Sequence, residues 1–103
     1  MPAVSREGDS LTTGHICDTT TVLAAPGQLT VWANSILIAR KTDPTISHLF
    51  PNSAPPPLCI LHTAVVNVGS STVYVAGKRV ARIGDSADLG SMTSGSSNVF
   101  AGP

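Results

Sequence analysis

Short runs of alternating apolar and polar residues, broken by two-residue turns, recur along the chain and predict short strands rather than helices. The clearest run is residues 69–85, Gly-Ser-Ser-Thr-Val-Tyr-Val-Ala-Gly-Lys-Arg-Val-Ala-Arg-Ile-Gly-Asp. A shift of 42 positions lays it on residues 27–43, with Gly27/Gly69, Thr30/Thr72, Val31/Val73, Ala39/Ala81, Arg40/Arg82 and Asp43/Asp85 identical. Both segments read as strand, turn, strand, with Asn34-Ser35 and Ala76-Gly77 at the turns. The chain ends supply a third copy in two pieces. Residues 95–102 match the front half and residues 3–9 the back half, which puts Arg6 and Asp9 on Arg82 and Asp85. The termini are therefore expected to meet and complete a third unit. The predicted architecture is a single all-β domain over residues 1–103, pseudo-threefold, with few free strand edges.

Alternation within a strand sends neighbouring side chains to opposite faces. Val31, Val73 and Val99 align at one repeat position, and Trp32, Tyr74 and Phe100 at the next. One set is expected to fill a core layer and the other to lie outside or against a partner.

Composition supports strands: 23 Ser and Thr and 10 Val stand against one Glu, one Gln and two Lys. Lys plus Arg and Asp plus Glu are 6 each. This balance argues against nucleic acid or an anionic membrane surface as a partner. No apolar run is long enough to span a bilayer. The start, Met1-Pro2-Ala3-Val4, carries no basic-then-apolar signal peptide.

The inserts between repeats hold 17, 25 and 9 residues. All three histidines and both cysteines lie in the two longer ones, and residues 86–94 contain neither type. The first insert reads Gly14-His15-Ile16-Cys17. The second has His48, a stretch with Pro51, Pro55, Pro56 and Pro57, and then Cys59-Ile60-Leu61-His62. His15, His48 and His62 with one cysteine make a four-ligand tetrahedral site, suited to zinc, with iron also compatible. Cys59, close to His62, is the favoured fourth ligand and Cys17 the alternative. The two cysteines could instead form one disulfide. The three-residue spacing of Cys59 and His62 is that of a helical turn, which is not expected here.

Four protein ligands leave no open coordination position, so such a site is structural and the protein is read as not an enzyme. A zinc hydrolase would need an open position and a general base. Glu7 falls in a repeat turn and Asp18 beside Cys17. A rival from another class is a disulfide-linked extracellular binding or adhesion domain, with a Cys17–Cys59 bond and no metal.

The segments Gly-His-x-Cys, Gly-Ser-x-x-Val-aromatic-x-x-Gly-Lys-x-x-Ala-Arg-x-Gly-Asp and Gly-Ser-x-Asn-Val-Phe-Ala-Gly resemble the PAAR-repeat proteins. The segment that names that family is replaced here by residues 3–6, 37–40 and 79–82, each keeping the final Arg. The middle copy departs furthest, with Ser35 for the turn Gly and Thr42 for the Gly before Asp43. The resemblance implies a monomeric β cone that caps the trimeric β-helical spike of a contractile phage tail or type VI secretion system. It would sit at the virion tail tip or be secreted through the machine, and touch a target membrane only while piercing it. The resemblance also implies an apical zinc bound by three histidines and a cysteine. Trp32, Tyr74, Phe100, Arg6, Arg40 and Arg82 become candidates for spike docking, with pairing to Asp9, Asp43 and Asp85 the competing and favoured use of the arginines. With nothing following Pro103, the chain is expected to be a plain tip without a toxin domain.

Overall fold

A computed structural model describes residues 1–52 and 58–103. The Pro55–Pro57 run lies outside the described residues. The described residues are all-β, in five two-stranded antiparallel sheets and no helix. Strand β1 (Ser10–Thr12) pairs with β2 (Thr20–Val22), β3 (Trp32–Ala33) with β4 (Ile36–Leu37), and β5 (His48–Pro51) with β6 (Cys59–His62). β7 (Tyr74–Val75) pairs with β8 (Lys78–Arg79), and β9 (Ser86–Ala87) with β10 (Gly90–Ser91).

The β3–β4 and β7–β8 hairpins are the two intact repeats. Their turns have positive φ at both central residues, Asn34 (56°) and Ser35 (64°), then Ala76 (49°) and Gly77 (82°). This mirror-image turn matches the twist of the flanking strands. The third unit is assembled from the chain ends, as expected. Ala3 bridges Phe100, Val4 N–H donates to Val99 O (3.0 Å), and Ala101 N–H donates to Pro2 O (3.0 Å).

The threefold relation is written in closed triangles of backbone hydrogen bonds. Ser5 N–H donates to Ala81 O (2.8 Å), Ala81 N–H to Ala39 O (3.0 Å), and Ala39 N–H to Ser5 O (3.0 Å). In the neighbouring layer Glu7 N–H donates to Leu37 O, Lys41 N–H to Arg79 O, and Ile83 N–H to Ala3 O. Such pairing uses the edges of each unit on the next. Gln28, Ser70 and Ser96, equivalent and buried, each accept two backbone N–H bonds that fix the chain entering a repeat strand.

Two core clusters follow the same symmetry. One is built from the triplets Val4/Ile38/Val80 and Ala33/Val75/Ala101, with Val99 against it. The other joins Leu23, Val66 and Met92 to Leu11, Ala87, Ala39 and Ala81. Small residues at equivalent positions let three backbones approach closely. Valines and aromatics split in an unequal way. Trp32, Tyr74 and Phe100 are 54%, 53% and 51% exposed, and Val31 and Val73 are only half-buried.

The repeat arginines are committed internally. Arg6–Asp9, Arg40–Asp43 and Arg82–Asp85 each pair at 3.0 Å. Each guanidinium also reaches the neighbouring unit, at Asn34 Oδ1, at the Val75 and Ala76 carbonyls, and at Gly102 O respectively. The favoured reading of Arg6, Arg40 and Arg82 as internal partners is what the structure contains.

Candidate metal centre

Beyond the second core cluster lie the β5–β6 hairpin, the loop after β1 and the β9–β10 turn. Antiparallel pairing sets His48 directly opposite His62, so both side chains share one face of the hairpin. The first loop supplies His15. Thr13, fully buried, shapes this loop: its hydroxyl bonds the Asp18 carbonyl (2.6 Å) and the His15 carbonyl (3.1 Å). Gly14 lies where a Cβ would overlap the Leu89 carbonyl, and this close approach brings the first loop onto the β9–β10 turn. Asp18 ties the loop to β5, accepting from Leu49 N–H at 2.7 Å.

Three imidazole Nε2 atoms and a carboxylate oxygen of Asp88 converge within 4.8 Å of one another. Asp88 Oδ2 stands 2.9 Å from His15 Nε2, 2.7 Å from His48 Nε2 and 3.3 Å from His62 Nε2, and the last two nitrogens are 2.8 Å apart. The far sides of two rings decide the chemistry. His15 Nδ1 is 2.9 Å from Ile16 O, and His48 Nδ1 is 2.9 Å from Ile46 O. A carbonyl oxygen only accepts, so each Nδ1 carries the proton. On the other side of each ring Nε2 faces the acceptor-only Asp88 carboxylate, where it can either donate a second proton or turn a lone pair to a cation. Backbone-anchored Nδ1–H is the usual orientation of metal-bound histidine, with Nε2 left to the metal. Four donors at about 2.0–2.1 Å from a tetrahedral zinc stand about 3.3 Å from one another, against 2.7 to 3.3 Å between Asp88 Oδ2 and the three nitrogens. The donor set fits a metal.

Burial disfavours the charged form of Asp88. Hydrogen bonds from His48 and His15, with the charges of His15 and His62, outweigh it and hold the carboxyl below its ordinary pKa. Phe50 shields the group, stacked on His62 (4.5 Å) and edge-on to His15 (4.9 Å). On these contacts it belongs to the centre although sequence reasoning did not single it out.

The expected fourth ligand is corrected. Cys59 is bonded to Cys17, with Cα atoms 5.9 Å apart. Neither sulfur is a free thiolate, so neither Cys59 nor the alternative Cys17 joins the cluster. The reason lies in strand geometry: residues three apart in β6 point to opposite faces, so the strand that turns His62 inward turns Cys59 away. Asp88 takes the place from the shortest insert, at a turn position with φ 54°. A usable signal existed, since Asp88 is the one charged residue in residues 86–94 and a threefold body brings all three inserts to the same summit.

The model of the PAAR motif matches residues 13–92. The chain belongs to the PAAR-motif family. PAAR proteins are structural spike-tip proteins of contractile injection systems, in phage tails or type VI secretion, and associate with a spike. No curated protein matches the sequence significantly. The PAAR match spans both apical histidine inserts, two intact repeats and the Asp88 turn.

Proposed function

We propose that this chain is a zinc-stabilised tip, one copy of which caps a trimeric β-helical spike and sharpens it for piercing a target envelope. The observation that carries the reading is the triad Trp32, Tyr74 and Phe100. These are equivalent aromatics, each about half exposed, next in sequence to Ala33, Val75 and Ala101 of the core cluster built from the repeat triplets. A monomer that mates with a threefold trimer needs three like contacts, and equal aromatics supply them. The arginines beneath them are engaged in internal pairs and position the hairpins. At the other end His15, His48, His62 and Asp88 would hold the ion, with all four positions filled by protein. The ion would supply cross-linking rather than an open site for a water nucleophile.

The test is co-expression with a trimeric β-helical spike protein of a contractile injection system, followed by mass measurement of the complex. One chain per trimer is expected. Trp32→Ala with Tyr74→Ala and Phe100→Ala should abolish capture while the melting temperature changes little. Capture that survives the triple variant would sink the docking assignment.

A second reading, a disulfide-linked extracellular binding domain, has the Cys17–Cys59 bond in its favour. It leaves the convergence of four donor atoms without a role. Metal content of the purified protein separates the two readings.

A further inference from the structure

The six cationic side chains divide evenly. Arg6, Arg40 and Arg82 are neutralised by their aspartates. The other three, Lys41, Lys78 and Arg79, have no ion-pair partner among the described residues, and all three line one cleft of about 220 Å³ with Thr42, Tyr74 and Gly77. The cleft is ordered by its own contacts. Lys78 Nζ donates to Thr42 Oγ1 at 2.8 Å, and the Arg79 guanidinium lies 5.9 Å over the Tyr74 ring. Its walls come from two units joined by the Lys41 N–H bond to Arg79 O.

The same junction occurs twice more. Where Glu7 N–H meets Leu37 O, the equivalent side chains are Glu7, Ile36 and Leu37. Where Ile83 N–H meets Ala3 O, they are Ile83, Pro2 and Ala3. Neither carries a cationic side chain. The positive cleft therefore breaks the threefold pattern, and a trimer with three identical faces gives no reason for it. A feature present once suits a partner present once.

We infer that this cleft binds an acidic peptide segment, donated in one copy by another chain, through paired carboxylates. Two lysines and an arginine within one small cleft match two or three neighbouring carboxylates. The Tyr74 ring offers an apolar wall for the methylene stems of glutamate. Three cations are too few and too localised to follow a nucleic-acid backbone. The charge match stands without the spike-tip reading, whereas the single-copy argument rests on it, and Tyr74 is shared with the proposed docking face.

The probe is fluorescein-labelled hexaglutamate, followed by anisotropy with the full chain at low salt, with hexaglutamine and a single-stranded oligonucleotide as comparisons. Saturable one-to-one binding of hexaglutamate alone is expected, with amide shifts centred on Thr42, Gly77 and Arg79. Lys78→Glu with Arg79→Glu should weaken it about tenfold or more, as should high salt. Lys78→Gln with Arg79→Gln provides a milder check should the reversed charges disturb folding. Absent binding, equal binding of hexaglutamine, or binding unmoved by both double variants would overturn the inference. Tighter binding of the oligonucleotide would reassign the cleft to nucleic acid.

Discussion

At the base, three copies of one hairpin unit close on each other through backbone triangles and paired layers of small apolar side chains. Among the described residues no such layer exists at the apex. There the hairpin β5–β6 is joined to the first loop by a disulfide and to the β9–β10 turn by three imidazoles and a carboxylate. The base is symmetric because its stabilising groups are peptide bonds, which every residue carries. The apex is asymmetric because its stabilising groups are particular side chains, contributed unequally by three inserts. Symmetry in this molecule extends as far as an apolar core can be built, and covalent and coordinate links begin where it stops.

The comparison breaks most sharply on metal removal. Stripping the proposed ion, or His48→Ala, should cost the apex on the order of 10 kcal/mol of cross-linking. Hydrogen exchange should then show β5–β6 opening while the triangle amides of Ser5, Ala39 and Ala81 stay protected. Uniform loss of protection would mean that the two ends are one cooperative unit.

Within the base, Arg40→Ala should destabilise by about 3–5 kcal/mol, because it leaves Asp43 buried and unpaired. Arg6→Ala and Arg82→Ala should cost less, since those side chains are 14% and 13% exposed against 5% for Arg40. Equal losses in denaturant titrations would deny that burial sets the ranking.

Cys17→Ser with Cys59→Ser should lower stability by about 2–4 kcal/mol with metal stoichiometry preserved. A variant that no longer retains metal would show that the covalent link is needed to assemble the centre.

The smallest effect sharpens the comparison among repeats. Thr42 sits at φ 75°, where its equivalents are Gly8 and Gly84. A β-branched residue is strained there. Thr42→Gly should raise stability by about 1 kcal/mol, a shift of a few degrees in melting; an unchanged or lower melting point would contradict the strain.

The repeats were legible because they depend on local chemistry. The Arg-x-x-Asp spacing that returns at residues 6, 40 and 82 became three ion pairs, and the split third copy became a bridge between Ala3 and Phe100. The three histidines were legible as a set because they cluster in the inserts. The fourth donor was misassigned because closeness in sequence to His62 favoured Cys59, whereas the faces of a strand favour a residue from elsewhere. Gln28, Ser70 and Ser96 went unremarked, since only Ser70 and Ser96 look alike, although all three accept the same pair of backbone bonds.

The hydrogen-bonded triangles also constrain how the chain reaches its native state. Each takes one side from the first ten residues, one from near residue 40 and one from near residue 80. No triangle can close on a partial chain, so collapse must wait until the last side has been synthesised. Such distant pairings carry a large loop-closure entropy and make for slow, late acquisition of structure. Once closed, the three sides must part together, so cutting away any one of them should unravel the other two.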